Sequence, residues 1–480
     1  MKTVAYRLML LTTILASGYS YANAQSVFST APEPEFQGSV SASSAERGQP
    51  IYAGSEITLS GDRFAPGQEV TIWRGATQLT TEPLKADGEG KFRWSATIPD
   101  DAAVGQHYLV VNAENPAASS VFKVKVSPKV DLFGDDKFVL TGSKLVRGLY
   151  QAAYSDKNDA LFVTAAVGRP PVKESALVKI DPATLEISAQ ISPEAAPAPE
   201  RGAGPAGGPG AGQEGPREGG VFAVYGIGLD DSKDTVWVTN TRQNTIAVYK
   251  QSDLSLVKQF EPSAISHPRD VVVDEARGHA YVSAARTNVV AVVDTNTLEI
   301  VKNIEIRSGK RGREQFGAAS LAIDEAAGKL VTVSLTTNEL AIIDLETQNV
   351  EKVIPVKGAL SAIGVAYDHD SKRAFVASQG SDNLAIVDTD SGETLHTVPV
   401  GAGALSVTFD PVNHLAFVSN RGAGTVTVVS PDGEIVANLD GGSNPNHVIA
   451  DGKGNVYAIN KSRGEDDPTG DRISKIEPKS

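Results

Sequence analysis

Short apolar runs recur along this chain at a nearly fixed interval, each introduced by an acidic turn. An aspartate stands seven residues ahead of the aromatic or aliphatic residue that opens a β-run. Asp230 precedes Trp237 in VWVTN, Asp274 precedes Tyr281 in AYVSA, and Asp324 precedes Val331 in LVTVS. Asp368 precedes Phe375 in AFVAS, Asp410 precedes Phe417 in AFVSN, and Asp451 precedes Tyr457 in VYAIN with one residue fewer. The aspartates lie 44, 50, 44, 42 and 41 residues apart. A third apolar run follows each time, as in NTIAVY, NVVAVVD, NELAIID and NLAIVD, and then a more polar one such as LEIVKNIEI. Alternation is weak in the first three runs, as expected of strands packed on both faces. A period of this length with several short strands per unit predicts the blades of a β-propeller.

One further unit lies upstream, with Ser155 in the aspartate place, Phe162 opening LFVTA, and SALVKID as the third strand. That makes seven units. The last ends at RISKIEPKS without a fourth strand, and DKFVLTG (136–142) is placed to supply it. Such a seam leaves no open sheet edge. The propeller is therefore expected over 133–480, interrupted at 193–220 by a Pro/Gly-rich insertion with no strand pattern. Upstream, Ile57, Leu59, Val70, Ile72, Phe92, Trp94, Tyr108, Val110, Phe122 and Val124 mark alternating short strands between turn residues. They predict a small β-sandwich over 49–127. Residues 25–48 read as a flexible linker. The expected fold class is all-β: a sandwich followed by a seven-bladed propeller closed by an N-terminal strand.

Lys2 and Arg7, the apolar stretch Leu8–Ala16 and Ala22-Asn23-Ala24 have the plan of a secretory signal peptide over 1–24. The apolar stretch is too short to span ~30 Å of hydrocarbon. The chain has no cysteine. This excludes disulfides, covalent c-type haem, thiolate zinc sites and cysteine nucleophiles. Net charge is −14, which disfavours polyanions over the surface as a whole but says nothing of its distribution.

VWVTN (236–240) and AFVSN (416–420), with the trailing N-x-(V/L)-(A/V)-(V/I)-(V/I)-D strand, resemble the signature of YVTN-repeat propellers of the YncE-like family. The resemblance covers roughly 133–480. It implies an exported, periplasmic seven-bladed propeller without established enzymatic activity, some members of which bind single-stranded DNA. The wider superfamily includes haem d1 domains and streptogramin lyases, so fold alone does not assign function. SGDRFAPGQEVTIW, ADGEGKFRWSATIP and AVGQHYLVV resemble the bacterial Ig-like modules of cell-envelope proteins.

Strand order separates the two faces of such a ring. Turns between first and second strands carry Asp230, Asp231, Asp274, Glu275, Asp324, Glu325, Asp368, Asp370, Asp410 and Asp451. Their spacing fits turn chemistry, in which Asp accepts nearby N–H groups, and lacks a calcium-loop pattern. The opposite connections hold Arg147, Arg242, His267, Arg269, Arg286, Lys310, Arg311, Arg313, Arg421, His447, Lys461 and Arg463, with Tyr150 and Tyr225 entering inner strands. Strands of five or six residues are ~17–20 Å long, against a screening length of ~8 Å. An acidic lower face therefore leaves a basic mouth uncancelled.

Tyr150, Tyr225, Arg242, His267, Arg269, Arg286, Arg421, His447, Lys461 and Arg463 are the candidate ligand-binding residues. Arginines suit phosphate and carboxylate, and tyrosines offer stacking surfaces or pack between blades. The alternative is that the cations sit in scattered solvated loops, some paired with Glu314, Glu465 or Asp466. His267 and His447 occupy blade-entry positions whose counterparts include Ser320, Gly364 and Ser406. No catalytic residue, metal site or cofactor is assigned, since no G-x-S-x-G, H-E-x-x-H or phosphate loop is present. The expected function is non-catalytic binding, by a periplasmic monomer, of an anionic ligand: single-stranded DNA, an envelope polymer or an envelope protein. The rival expectation is a lyase, or a redox protein with a non-covalent cofactor, working in the channel.

Overall fold

The computed structural model describes residues 35–198, 219–312 and 314–479. The predicted signal peptide and most of the 193–220 insertion lie outside the described residues. The chain divides into two compact units. The smaller contains residues 58–95 and 108–124, and the larger contains residues 125–480 together with 43–57 and 96–107.

The N-terminal strands form two sheets. One joins Ser39–Ser44, Glu56–Asp62 and Phe92–Thr97; the other is built on Glu69–Arg74, Gly105–Glu114 and Ala118–Val126. Burial alternates along them as the pattern predicts, with Leu59, Val70, Ile72 and Val111 inside and Thr71 and Asn112 turned outward. Residues 39–44 correct the expectation of a flexible linker over 25–48. Their small residues look like a tether, but an edge strand needs only backbone pairing and a half-covered face, and Val40 and Ala42 are half-buried.

From Phe138 to Pro478 the described residues form seven four-stranded sheets. Six are consecutive meanders, beginning with Leu149–Ser155, Ile227–Asp230, Pro268–Asp274, Ala318–Asp324, Ala362–Asp368 and Ala404–Asp410 as innermost strands. The last sheet takes Pro445–Ala450, Val456–Asn460 and Arg472–Pro478 from the C-terminal end and completes itself with Phe138–Lys144. This seam is antiparallel, from Arg472 opposite Lys144 to Pro478 opposite Phe138. Each innermost strand packs against the next, and that of the seventh sheet packs against that of the first. The sheets therefore close into a ring.

The core lies between successive sheets. Val331, Val333, Leu340 and Ile342 of the fourth pack with Ile363, Val365, Ala374 and Val376 of the fifth. Second strands such as Lys329–Ser334 are buried along nearly their whole length, whereas the outer strand Glu299–Glu305 is mostly exposed. Each Val, Leu or Ile so buried contributes roughly 1.5–3 kcal/mol.

The acidic turns do what Asp does in turns. Asp230 Oδ1 accepts from Lys233 N at 2.9 Å, Asp324 Oδ1 from Ala327 N at 2.8 Å, and Asp451 Oδ1 from Lys453 N at 2.7 Å. The following acid often reaches the preceding sheet. Asp231 accepts from Ser155 Oγ at 2.6 Å, Glu275 from Asp231 N at 2.6 Å, and Glu325 from Ala276 N at 3.2 Å. Among the described residues no group of three or more His, Asp or Glu side chains is placed to hold a metal ion.

Candidate functional site

The innermost strands surround a cavity of about 380 Å³, lined by residues from all seven. Near one end, register shifts interrupt the pairing of six of these strands, as between Pro268 and Val271 or Pro445 and His447. Just inside the shift, structurally equivalent positions carry Gln151, Gly226, Asp270, Ser320, Gly364, Ser406 and His447. Each precedes the residue that pairs with the third residue of the repeated five-residue run, as Val271 pairs with Val282 of AYVSA and Val448 with Ala458 of VYAIN.

These side chains tie neighbouring sheets together. Gln151 Oε1 accepts from Ile227 N at 3.1 Å, and Asp270 Oδ2 accepts from Leu321 N at 3.0 Å. Ser406 Oγ accepts from Val448 N at 3.4 Å, and His447 Nδ1 accepts from Ala152 N at 3.3 Å. Where glycine stands, a side chain has no room: a Cβ on Gly226 would lie 2.3 Å from Arg269 O, and one on Gly364 2.7 Å from Leu405 O. Burial raises the Asp270 carboxyl above the usual carboxylate range, against the two N–H groups it accepts. Burial, then the Arg269 charge, pushes His447 down to about 3. His447 is neutral at pH 7. Because Nδ1 is an acceptor, its proton is on Nε2.

Above this tier the basic residues gather. The Arg242 guanidinium lies 5.9 Å from the Tyr225 ring centre, and the Lys461 ammonium 5.9 Å from that of Tyr150. The two tyrosines meet edge to face at 4.8 Å and 81°. Arg421 Nη1 donates to Asn446 Oδ1, and Asn446 Nδ2 donates to Tyr150 O at 2.6 Å. Lys461 Nζ donates to Ala166 O at 2.9 Å. Burial lowers the Lys461 ammonium, and the Arg421 and Arg242 charges lower it further, against Asp471. Burial likewise lowers the Arg421 guanidinium. His267 is pushed down to about 4 by burial and then by Arg286, Arg242 and Arg269. These couplings join Arg421, Lys461, Arg242, Arg286 and Arg269 into one positive field around the neutral His267 and His447. Among the described residues none of Arg242, Arg269, Arg286, Arg421 or Lys461 is within 4.0 Å of a carboxylate oxygen.

No protein-family model matches the chain, and no curated protein matches its sequence. Solved structures do. Virginiamycin B lyase from Staphylococcus aureus matches with a TM-score of 0.51 at 14% identity, over 71% of this chain and 99% of that one. U3-55K matches at 0.52 and 10% identity, over 71% and 98%. Hydrazine synthase from Kuenenia stuttgartiensis matches at 0.52 and 15% identity, over 66% and 94%. The ring of sheets is a β-propeller. At these identities the likeness concerns the fold alone.

On this propeller, nine of the ten candidate residues are linked to one another, seven by charge coupling and Tyr150 and Tyr225 by ring contacts. Arg463 does not join them. It is exposed, and its N–H donates to Asp467 Oδ2 at 2.8 Å. Arg147 is drawn off as well, 3.7 Å from Glu174 and 3.2 Å from Glu465. The tyrosines are not open stacking platforms. Tyr225 is 7% exposed, and the pair packs on Ala166, Val172 and Ala223. His267 is not the counterpart of His447. It has φ 47°, its N–H donates to Asn244 Oδ1 at 2.8 Å, and it belongs to the connection before the strand. Asp270 stands where His447 stands. Gln151, Asp270 and Asn446 were not singled out from the sequence. For Gln151 and Asp270 the signal was present, since they align with Ser320, Ser406 and His447 once the second strands are superposed; Asn446 lies one residue before His447, outside that tier.

Proposed function

We propose that this is an exported, periplasmic, non-catalytic binding protein. An N-terminal Ig-like module precedes a seven-bladed propeller of the YVTN-repeat, YncE-like kind, which binds an anionic ligand at its channel mouth. The observation that carries this reading is the unpaired positive field. Burial first, and then neighbouring cations, depresses Lys461 and His267, and among the described residues no carboxylate is within 4.0 Å of Arg242, Arg269, Arg286, Arg421 or Lys461. Crowding like charges out of water costs energy that an arriving anion returns. The net charge of −14 does not oppose this, because the acids are tied into turns at the other end of the strands.

The likeness to virginiamycin B lyase raises an enzymatic reading. The buried groups that a proton-transfer mechanism would use here, Asp270 and His447, instead spend their acceptor atoms on Leu321 N and Ala152 N. This favours binding over catalysis.

The test is salt-dependent binding of a labelled single-stranded oligonucleotide to the wild type and to a variant with Arg242, Arg269, Arg286 and Arg421 all changed to alanine. The wild type should lose affinity linearly on a log–log salt plot, with a slope of about −0.7 per phosphate contacted. The variant should bind at least tenfold more weakly with a shallower slope. Equal affinity would remove the site. Export is tested separately: the mature protein recovered from the periplasm should begin at Gln25.

A further inference from the structure

We infer that the mouth recognises its ligand through a phosphate-type oxyanion group alone, with no nucleobase stacked on its tyrosines. This rests on the anion-binding reading above and narrows it to a chemical class.

Stacking a base requires an open aromatic face. Tyr225 is 7% exposed, with the Arg242 guanidinium at 5.9 Å from its ring centre and the Tyr150 ring edge-on at 4.8 Å. Tyr150 is half-buried, with the Lys461 ammonium at 5.9 Å from its ring centre. Both rings pack on the apolar cluster of Ala166, Val172 and Ala223. A base could reach either ring only by expelling the cation that would hold its own phosphate.

An oxyanion needs N–H and O–H donors around a space the size of an oxygen atom. A pocket of about 20 Å³ is lined by Gln151, Arg269, Ser320, Ser406 and His447, with Tyr150 also on its wall. That is room for one water-sized atom and far too little for an aromatic ring. Arg269, one of the residues lining it, has its Nε buried without an acceptor. A guanidinium N–H removed from water and left unpaired is costly, and a ligand oxygen would satisfy it. The Ser406 oxygen accepts from Val448 N, which leaves its hydroxyl proton to donate. His447 carries its proton on Nε2 because Nδ1 accepts from Ala152 N. The channel below is walled by Val271, Leu321, Val365 and Val407 with the small residues Gly228, Ala152 and Gly364. The same cavity is also lined by Tyr154, Tyr367 and Phe409, which belong to other positions along the inner strands than the tier of Gln151, Ser406 and His447.

The phosphate can belong to a small molecule or to a phosphodiester chain, and the experiment separates these. Binding to the full chain is measured for a ten-nucleotide oligothymidylate, an abasic phosphodiester of equal length, and inorganic pyrophosphate as competitor. The expected result is that the abasic and thymidine chains bind within about twofold of each other. Pyrophosphate displacing both identifies a terminal phosphate as sufficient; pyrophosphate failing to displace them identifies the phosphodiester chain. Both outcomes support the inference. Arg269→Lys keeps the charge and loses the Nε–H, and should weaken both chains equally, by about tenfold. Arg242→Ala, at an exposed position, should weaken both by the same factor, so the inference survives if the Arg269 variant fails to fold. Oligothymidylate binding ten times more tightly than the abasic chain would overturn the inference and leave the anion site standing. Absence of binding by all three probes would overturn both.

Discussion

His447 shows how one ring atom sets a pH response. Its Nδ1 accepts the Ala152 N–H, and burial with the Arg269 charge holds it at about 3, against ~6.5 in the unfolded chain. A folded value below the unfolded one means that the unfolded chain takes up the proton first. Stability is therefore retained above pH 6.5 and lost as pH falls from there toward 3. At pH 5 the loss from this residue is about 2 kcal/mol. Gln151 performs the same task in the first sheet with Oε1. His447→Gln should thus keep the staple and remove the titration. Urea unfolding at pH 7 and pH 5 should show a pH-dependent loss smaller by about 2 kcal/mol in the variant; an unchanged loss would separate the ring from the effect. His267, pushed down to about 4, should take up a proton when an anion arrives between pH 4 and 6.5. Calorimetric titrations at pH 5 in buffers of different ionisation enthalpy should register that uptake, and His267→Gln should abolish it.

At the scale of the element, the repeated aspartate is a local device and was legible for that reason. Asp410 is fully buried, accepting from Val412 N at 3.1 Å and Asn413 Nδ2 at 2.5 Å. Its partners lie two and three residues away, so spacing alone predicts them. Asp410→Ala should cost about 1–3 kcal/mol by denaturant unfolding, because both donors lose the buried carboxylate that accepts from them. A smaller loss than that of Asp370→Ala, at an exposed position in the neighbouring turn, would contradict the assignment. The register shifts were not legible. They displace the phase of the inner strand, so that His267 and Asp270, three residues apart, exchanged places in the reading. The strand at 39–44 was hidden for a related reason: its pairing uses backbone groups that every residue carries.

At the scale of the molecule, closure depends on a strand more than 300 residues from its partner. Thr141 and Lys475 are opposite one another across this seam, at a Cα separation of about 4.5–5.5 Å for antiparallel partners, within disulfide range. The chain has no cysteine to compete. Thr141→Cys with Lys475→Cys should form a disulfide that raises stability by about 2–4 kcal/mol under oxidising conditions, reversed by reductant. Failure to oxidise in the folded protein would mean that the seam is not paired as described.

The repeat, the strand order, the acidic turns and the sorting of charge to opposite ends of the strands were all determined by the sequence alone. Each depends on neighbours within a few residues or on a regular period. The convergence of Arg242, Arg269, Arg421 and Lys461, the burial that depresses Lys461 and His267, and the capping of both tyrosines by cations were decided only by tertiary structure. These residues come from different sheets and meet only because the ring closes. Desolvation and Coulomb coupling depend on distance through space, which spacing along a chain does not encode.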